Sequence, residues 1–237
     1  MNLSHHLTVP LRRSEKIWGW IYLPVYLVLL GEFLVAGAEY LGMDVTTDHS
    51  LAVINGAYFL INFFFTLLIF RRFLWQNLLQ VKKRFWGFVQ AVILGLVMYY
   101  VGAMLVGIFI SVVSSPNLSN PNDQNITKMA QAAQWIMVPG TVILAPFAEE
   151  CLMRGLLFRG MYDRSRILAF ILSVLVFAVI HVKGYVDSVP LSQLALNFLQ
   201  YLPSGIALAW AYEKADSIFA PIVMHCLINS IATWVKA

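Results

Sequence analysis

Continuous apolar runs of helical length alternate with short polar turns along this chain. A helix that crosses a bilayer needs about 20 mostly apolar residues. The pattern predicts seven such spans. The first covers about Ile17 to Ala38 and carries Glu32 near its far end. The second covers about Leu51 to Phe70 and stops at Arg71 and Arg72. The stretch from Arg71 to Phe85 mixes bases with leucine and aromatic positions and reads as an interfacial helix. The third span covers about Trp86 to Val113, and a polar, turn-rich stretch from Ser114 to Lys128 follows it. The remaining spans cover about Ala132 to Phe158, Ile167 to His181, Ser192 to Tyr212 and Ile218 to Val235. A break in the long fourth segment, near Pro139–Gly140 or Pro146, would raise the count to eight.

The expected fold class is therefore all-α, a polytopic transmembrane helical bundle. Composition agrees, with 60% hydrophobic and only 12% charged residues. Soluble domains carry roughly twice that charge fraction. A closed outer-membrane barrel would alternate polar and apolar residues in segments of about 10, and this chain does not. No internal repeat is evident, which argues against a transporter built from duplicated halves.

The net charge is +4, and the bases sit beside the spans. They read as topology signals and not as a nucleic-acid surface. Arg12, Arg13, Lys16, Arg71, Arg72, Lys82, Lys83, Arg84, Arg159, Arg164, Arg166 and Lys214 fall on one side. Lys128 and Lys183 fall on the other, with Lys236 at the terminus. The positive-inside rule then predicts a multi-pass protein of a bacterial inner or plasma membrane, with its N-terminus cytoplasmic and its C-terminus external. The N-terminal stretch lacks a short apolar core with a small-residue cleavage site, so the first span is expected to be retained.

Glu149, Glu150 and Arg154 lie inside one of the most apolar stretches. Carboxylates are expensive in a bilayer interior and mark function by default. Glu150 and Arg154 are four apart, so they share a helix face and can pair. A pair that only fixes packing would leave Glu149 unexplained. Phe177 and His181 are four apart on another span, and His225 and Asn229 on the last. At about 1.5 Å per residue, Glu150 and His225 lie at similar depths from the basic side, about 13 and 16 Å, and His181 lies deeper, at about 22 Å. The three can still line one cavity, opening toward the cytoplasm.

These residue types suit peptide hydrolysis without a covalent intermediate. A carboxylate and an imidazole can hold a water and take its proton. A histidine and an amide can donate to a developing oxyanion. No serine stands in a nucleophile elbow, and Cys151 and Cys226 form no metal-knuckle spacing. Glu149, His181 and His225 could instead make a two-His, one-carboxylate zinc site, although the HExxH signature is absent.

At these positions the chain resembles the CAAX protease and bacteriocin-processing family, also called the Abi family. EExxxR appears as Glu149, Glu150 and Arg154, FxxxH as Phe177 and His181, and HxxxN as His225 and Asn229. The likeness covers about residues 130 to 235. It divides the chain into N-terminal spans with the interfacial helix, residues 1–130, and a catalytic core, residues 131–237. The resemblance implies an intramembrane glutamate-type endopeptidase whose cavity opens to the cytoplasm. It implies that Glu149 and His181 activate water and that His225 and Asn229 form the oxyanion hole. Glu150 would support through Arg154, and Phe177 would shape the cavity near the scissile bond. No cofactor is implied, with zinc the alternative. The expected partners are membrane lipid and a peptide or membrane-anchored protein substrate, CAAX-like or bacteriocin- or pheromone-like. A non-catalytic immunity or peptide-binding protein is the rival reading.

Overall fold

Long apolar runs joined by short polar turns give an up-and-down helical bundle in the computed structural model, which describes residues 7–114 and 120–236. The expected polar start before Leu7 and part of the Ser114–Lys128 stretch, residues 115–119, lie outside the described residues. Helix α1 spans Arg13–Tyr40, α2 Asp48–Lys83, α3 Phe85–Val113, α4 Pro121–Ala132 and α5 Gln134–Tyr162. Helix α6 spans Arg166–Val182, α7 Leu191–Ala215 and α8 Phe219–Lys236. No strand occurs among the described residues.

Five helical segments are long and apolar enough to cross a membrane: α1, α2, α3, α5 and the one beginning with α6. Helix α8 contains a shorter apolar helix, Phe219–Trp234, so the expected count of about seven is roughly compatible with the structure. The fourth segment does not break at its prolines. It passes Pro139 and Pro146 as one rod with widened turns at Gly140–Leu144 and Cys151–Phe158. The expected interfacial helix is not separate, because Arg71 to Lys83 continue α2 without interruption. At about 1.5 Å per residue that helix is far longer than the roughly 30 Å hydrocarbon layer, so one end stands outside it.

The polar stretch after α3 folds into a helix that the turn-rich composition concealed. Asn120 caps α4 by accepting the Asn122 N–H at 3.1 Å, and Pro121 occupies the first turn, where its missing N–H costs nothing.

Lipid tails are as apolar as leucine, so close packing and buried polar bonds hold such a bundle. Large apolar side chains such as Phe64, Leu68, Ile93, Val97 and Leu105 stay exposed on the outer faces, where lipid meets them. Helix α7 packs along α3 and α6. Gly205 permits the α6 approach, since a Cβ there would meet Val174 Cγ1 at 3.1 Å. Tyr22 of α1 donates to Asn62 Oδ1 of α2 at 2.7 Å. Asn77 Oδ1 of α2 accepts the Ile218 N–H at 2.8 Å and so caps the start of α8.

The base-rich end is closed by an N-terminal strap. Leu7, Val9 and Leu11 are buried in the main core. Asp216 accepts from the Thr8 N–H at 2.8 Å, and Arg159 Nε donates to the Val9 carbonyl at 2.9 Å.

Candidate active site

Helix α5 carries the glutamates through the middle of the bundle. Its widened turns have a sequence cause. In the Gly140–Leu144 turn the Ala145 N–H reaches back to the Gly140 carbonyl, one residue further than in an α-helix. In that register the Thr141 carbonyl faces position 146, and Pro146 has no N–H to give. The freed carbonyl accepts from Asn229 Nδ2 of α8 at 2.8 Å. Proline in the rod thus positions an amide from another helix.

Glu150 is fully buried and forms the expected pair, with Arg154 Nη1 donating to its Oε1 at 2.9 Å. The same oxygen lies 2.9 Å from His225 Nδ1. A carboxylate accepts, so Nδ1 carries the proton and the ring is turned with Nε2 toward Glu149. Spacing along one chain could not reveal that second bond, because α8 supplies it. Arg154 also donates to the Gly205 carbonyl at 3.0 Å and stacks 4.5 Å over the Phe177 ring. The cation is therefore held by a carboxylate, a carbonyl and an aromatic face.

His181 sits at the end of α6. Its Nδ1 lies 2.8 Å from the Phe177 carbonyl, which can only accept, so Nε2 holds the lone pair of the neutral ring. Tyr201 of α7 stacks on the imidazole with centroids 4.4 Å apart. Tyr201 gave no signal in the sequence beyond an aromatic residue inside a span.

Glu149 brings the constellation together. Its Oε2 lies 3.8 Å from His181 Nε2 and 4.0 Å from His225 Nε2. Both separations exceed direct hydrogen-bond length and suit a bridging water. That oxygen is buried and has no hydrogen-bond partner in the protein. Glu149, His181, His225 and Asn229 all line one cavity of about 780 Å³. Glu150, Arg154 and Phe177 do not line it. Phe177, 2% exposed, lies behind the imidazoles instead of on the cavity wall where the resemblance put it, with its ring 4.6 Å from His181 and 5.7 Å from His225. Exposed Glu32 also lies outside the lining.

The cavity does not open toward the base-rich end, as the sequence reading expected. Cys151, Leu152, Met153, Leu156 and Phe158 are fully buried beneath the glutamates. The lining runs instead to exposed Asp48, Gln131, Gln134 and Lys183, at the opposite end of the bundle. Helix α5 turns its polar face upward and its Leu- and Phe-rich last turns downward into the core.

Rival nucleophiles are engaged elsewhere. Ser173 donates to the Met153 carbonyl at 3.1 Å and Ser230 to the Cys226 carbonyl at 2.7 Å. Both cysteines are free, and Cys151 is buried. Among the described residues no group of three or more His, Cys, Asp or Glu is arranged to hold a metal ion. The two Nδ1–H anchors nevertheless resemble the outer bonds that orient metal-binding histidines.

Residues 131–231 match the family model described as type II CAAX prenyl endopeptidase, Rce1-like. The resemblance carried by the motifs is met over that segment. The chain is 23% identical over 110 residues to "Putative membrane peptidase YdiL" of Bacillus subtilis (strain 168), covering 46% of this chain and 40% of that protein. It is 28% identical over 127 residues to UPF0177 protein YaiF of Lactococcus lactis subsp. lactis (strain IL1403), covering 50% and 52%. With UPF0177 protein YbdI of the same organism it is 26% identical over 91 residues, covering 38% and 44%. The chain thus spans about half the length, or less, of these curated relatives. No solved structure matches it.

Proposed function

We propose that this chain is an intramembrane endopeptidase of the glutamate type. The observation that carries the proposal is the buried, unpartnered Glu149 Oε2, facing two imidazole Nε2 atoms at 3.8 and 4.0 Å. Glu149 and His181 Nε2 are both acceptors, so a water between them donates to each and turns its lone pair toward the cavity. As the water oxygen bonds to the scissile carbonyl carbon, Glu149 takes the proton and the carbonyl π pair moves onto oxygen. Asn229 keeps a second amide hydrogen for that oxyanion. His225 donates from Nε2 when it is an imidazolium, a cation that Glu150 steadies through Nδ1. Glu149 then returns the proton to the leaving nitrogen as the C–N bond breaks. Substrates on this reading are peptides or tails of membrane-associated proteins, met in a multi-pass protein of the cell membrane with a cytoplasmic N-terminus.

Cleavage of fluorogenic peptides by purified protein in detergent tests this. Glu149→Gln is expected to lower turnover by at least about a hundredfold with the fold retained. Turnover unchanged by Glu149→Gln would refute the assignment, and binding without cleavage would favour the immunity or peptide-binding reading.

One observation favours a second reading. With His225 neutral, Glu149 Oε2 and the two Nε2 atoms are three acceptors with no hydrogen to share. Drawn closer together than they stand here, the three could hold a zinc ion, which would polarise the carbonyl and the attacking water. Loss of activity on chelation, restored by zinc, would select that reading.

A further inference from the structure

We infer that the substrate reaches this site as a peptide segment from the base-poor face of the membrane, the outer face of the cell. The inference rests on the endopeptidase reading and adds which side of the membrane the site serves. Successive spanning helices run in opposite directions, with short α4 lying between α3 and α5 at one end, so the chain's turns separate into two ends. The turns at α2–α3, α5–α6 and α7–α8 carry the bases, among them Lys82, Lys83, Arg84, Arg164 and Lys214. At the other end the described side chains include only two bases, Lys128 and Lys183, against Glu39, Asp44, Asp48, Asp123 and Asp187. The positive-inside rule puts the first end in the cytoplasm.

The cavity communicates with the second end. Its rim includes the exposed residues Asp48, Gln131 and Lys183. Toward the cytoplasmic end it meets the buried turns of α5 and then the Leu7–Leu11 strap. A cytoplasmic chain would have to displace a packed core to reach Glu149.

Sidedness is measured with the full-length protein in spheroplasts. A membrane-impermeant maleimide is applied to Gln131→Cys, at the rim, and Lys82→Cys, at the base-rich end, with the unsubstituted protein giving the background from its own two cysteines. Gln131→Cys is expected to label in intact spheroplasts. Labelling of Lys82→Cys is expected to be absent until permeabilisation. A bare fluorogenic peptide that the purified protein cleaves is then added to right-side-out spheroplasts and to sealed inside-out vesicles. Cleavage is expected in the first, and in the second only after detergent. Reversed labelling, or cleavage in sealed inside-out vesicles, would overturn the inference and leave the endopeptidase reading intact. No cleavage of any peptide by the purified protein would instead defeat that reading, and this inference with it.

Discussion

Two adjacent glutamates, one helical step apart, have different surroundings and so different expected failures. Glu149 touches the cavity and has an oxygen without a protein partner. Glu150 is fully buried between Arg154 and His225. Glu149→Gln is expected to abolish turnover and leave thermal stability near that of the unsubstituted protein. Glu150→Ala strands a buried guanidinium, and its expected loss of stability is about 3–5 kcal/mol. Thermal unfolding of the two variants in one detergent separates these roles. Equal destabilisation by both would contradict the division. Asn229→Ala removes an oxyanion donor, so kcat is expected to fall by about 10²–10³ with KM little changed. Steady-state kinetics on one peptide checks that split, and a change confined to KM would make Asn229 a binding residue instead.

At the element scale, the three polar pairs were legible because residues four apart share a helix face whatever the tertiary fold. The glutamate and histidine helices were therefore identified before their contacts were known. What joins them was not legible. The Glu150–His225 contact joins positions 75 residues apart, and the Tyr201–His181 stack crosses from α7 to α6, so neither follows from spacing on one helix. Helix α4 was hidden because Asn, Pro and Asp also favour turns, and only the Asn120 cap makes them start a helix. The prolines of α5 suggested a break, and the structure uses them to widen a turn and free the Thr141 carbonyl. Pro146→Ala would supply an N–H to that carbonyl and compete with Asn229. Activity is expected to fall by about tenfold to a hundredfold from the misplaced amide. Stability is expected to hold or rise, since proline disfavours helix interiors. Paired kinetics and melting curves test this, and full activity in Pro146→Ala would show that the turn does not position Asn229.

For the whole molecule, the all-helical membrane class and the charge asymmetry were legible in the sequence, since both are sums over many residues. It did not supply the direction in which the cavity opens. That direction depends on which end of the bundle the core fills, and here Leu152, Leu156 and Phe158 fill the base-rich end. The central claim is that Glu149 activates water without a metal. The most direct test is cleavage of one fluorogenic peptide by protein stripped with a strong chelator, with residual metal content measured on the same sample. The account predicts full turnover in metal-free protein and its loss in Glu149→Gln. Turnover that vanishes with the metal and returns with stoichiometric zinc would contradict it and make Glu149, His181 and His225 metal ligands.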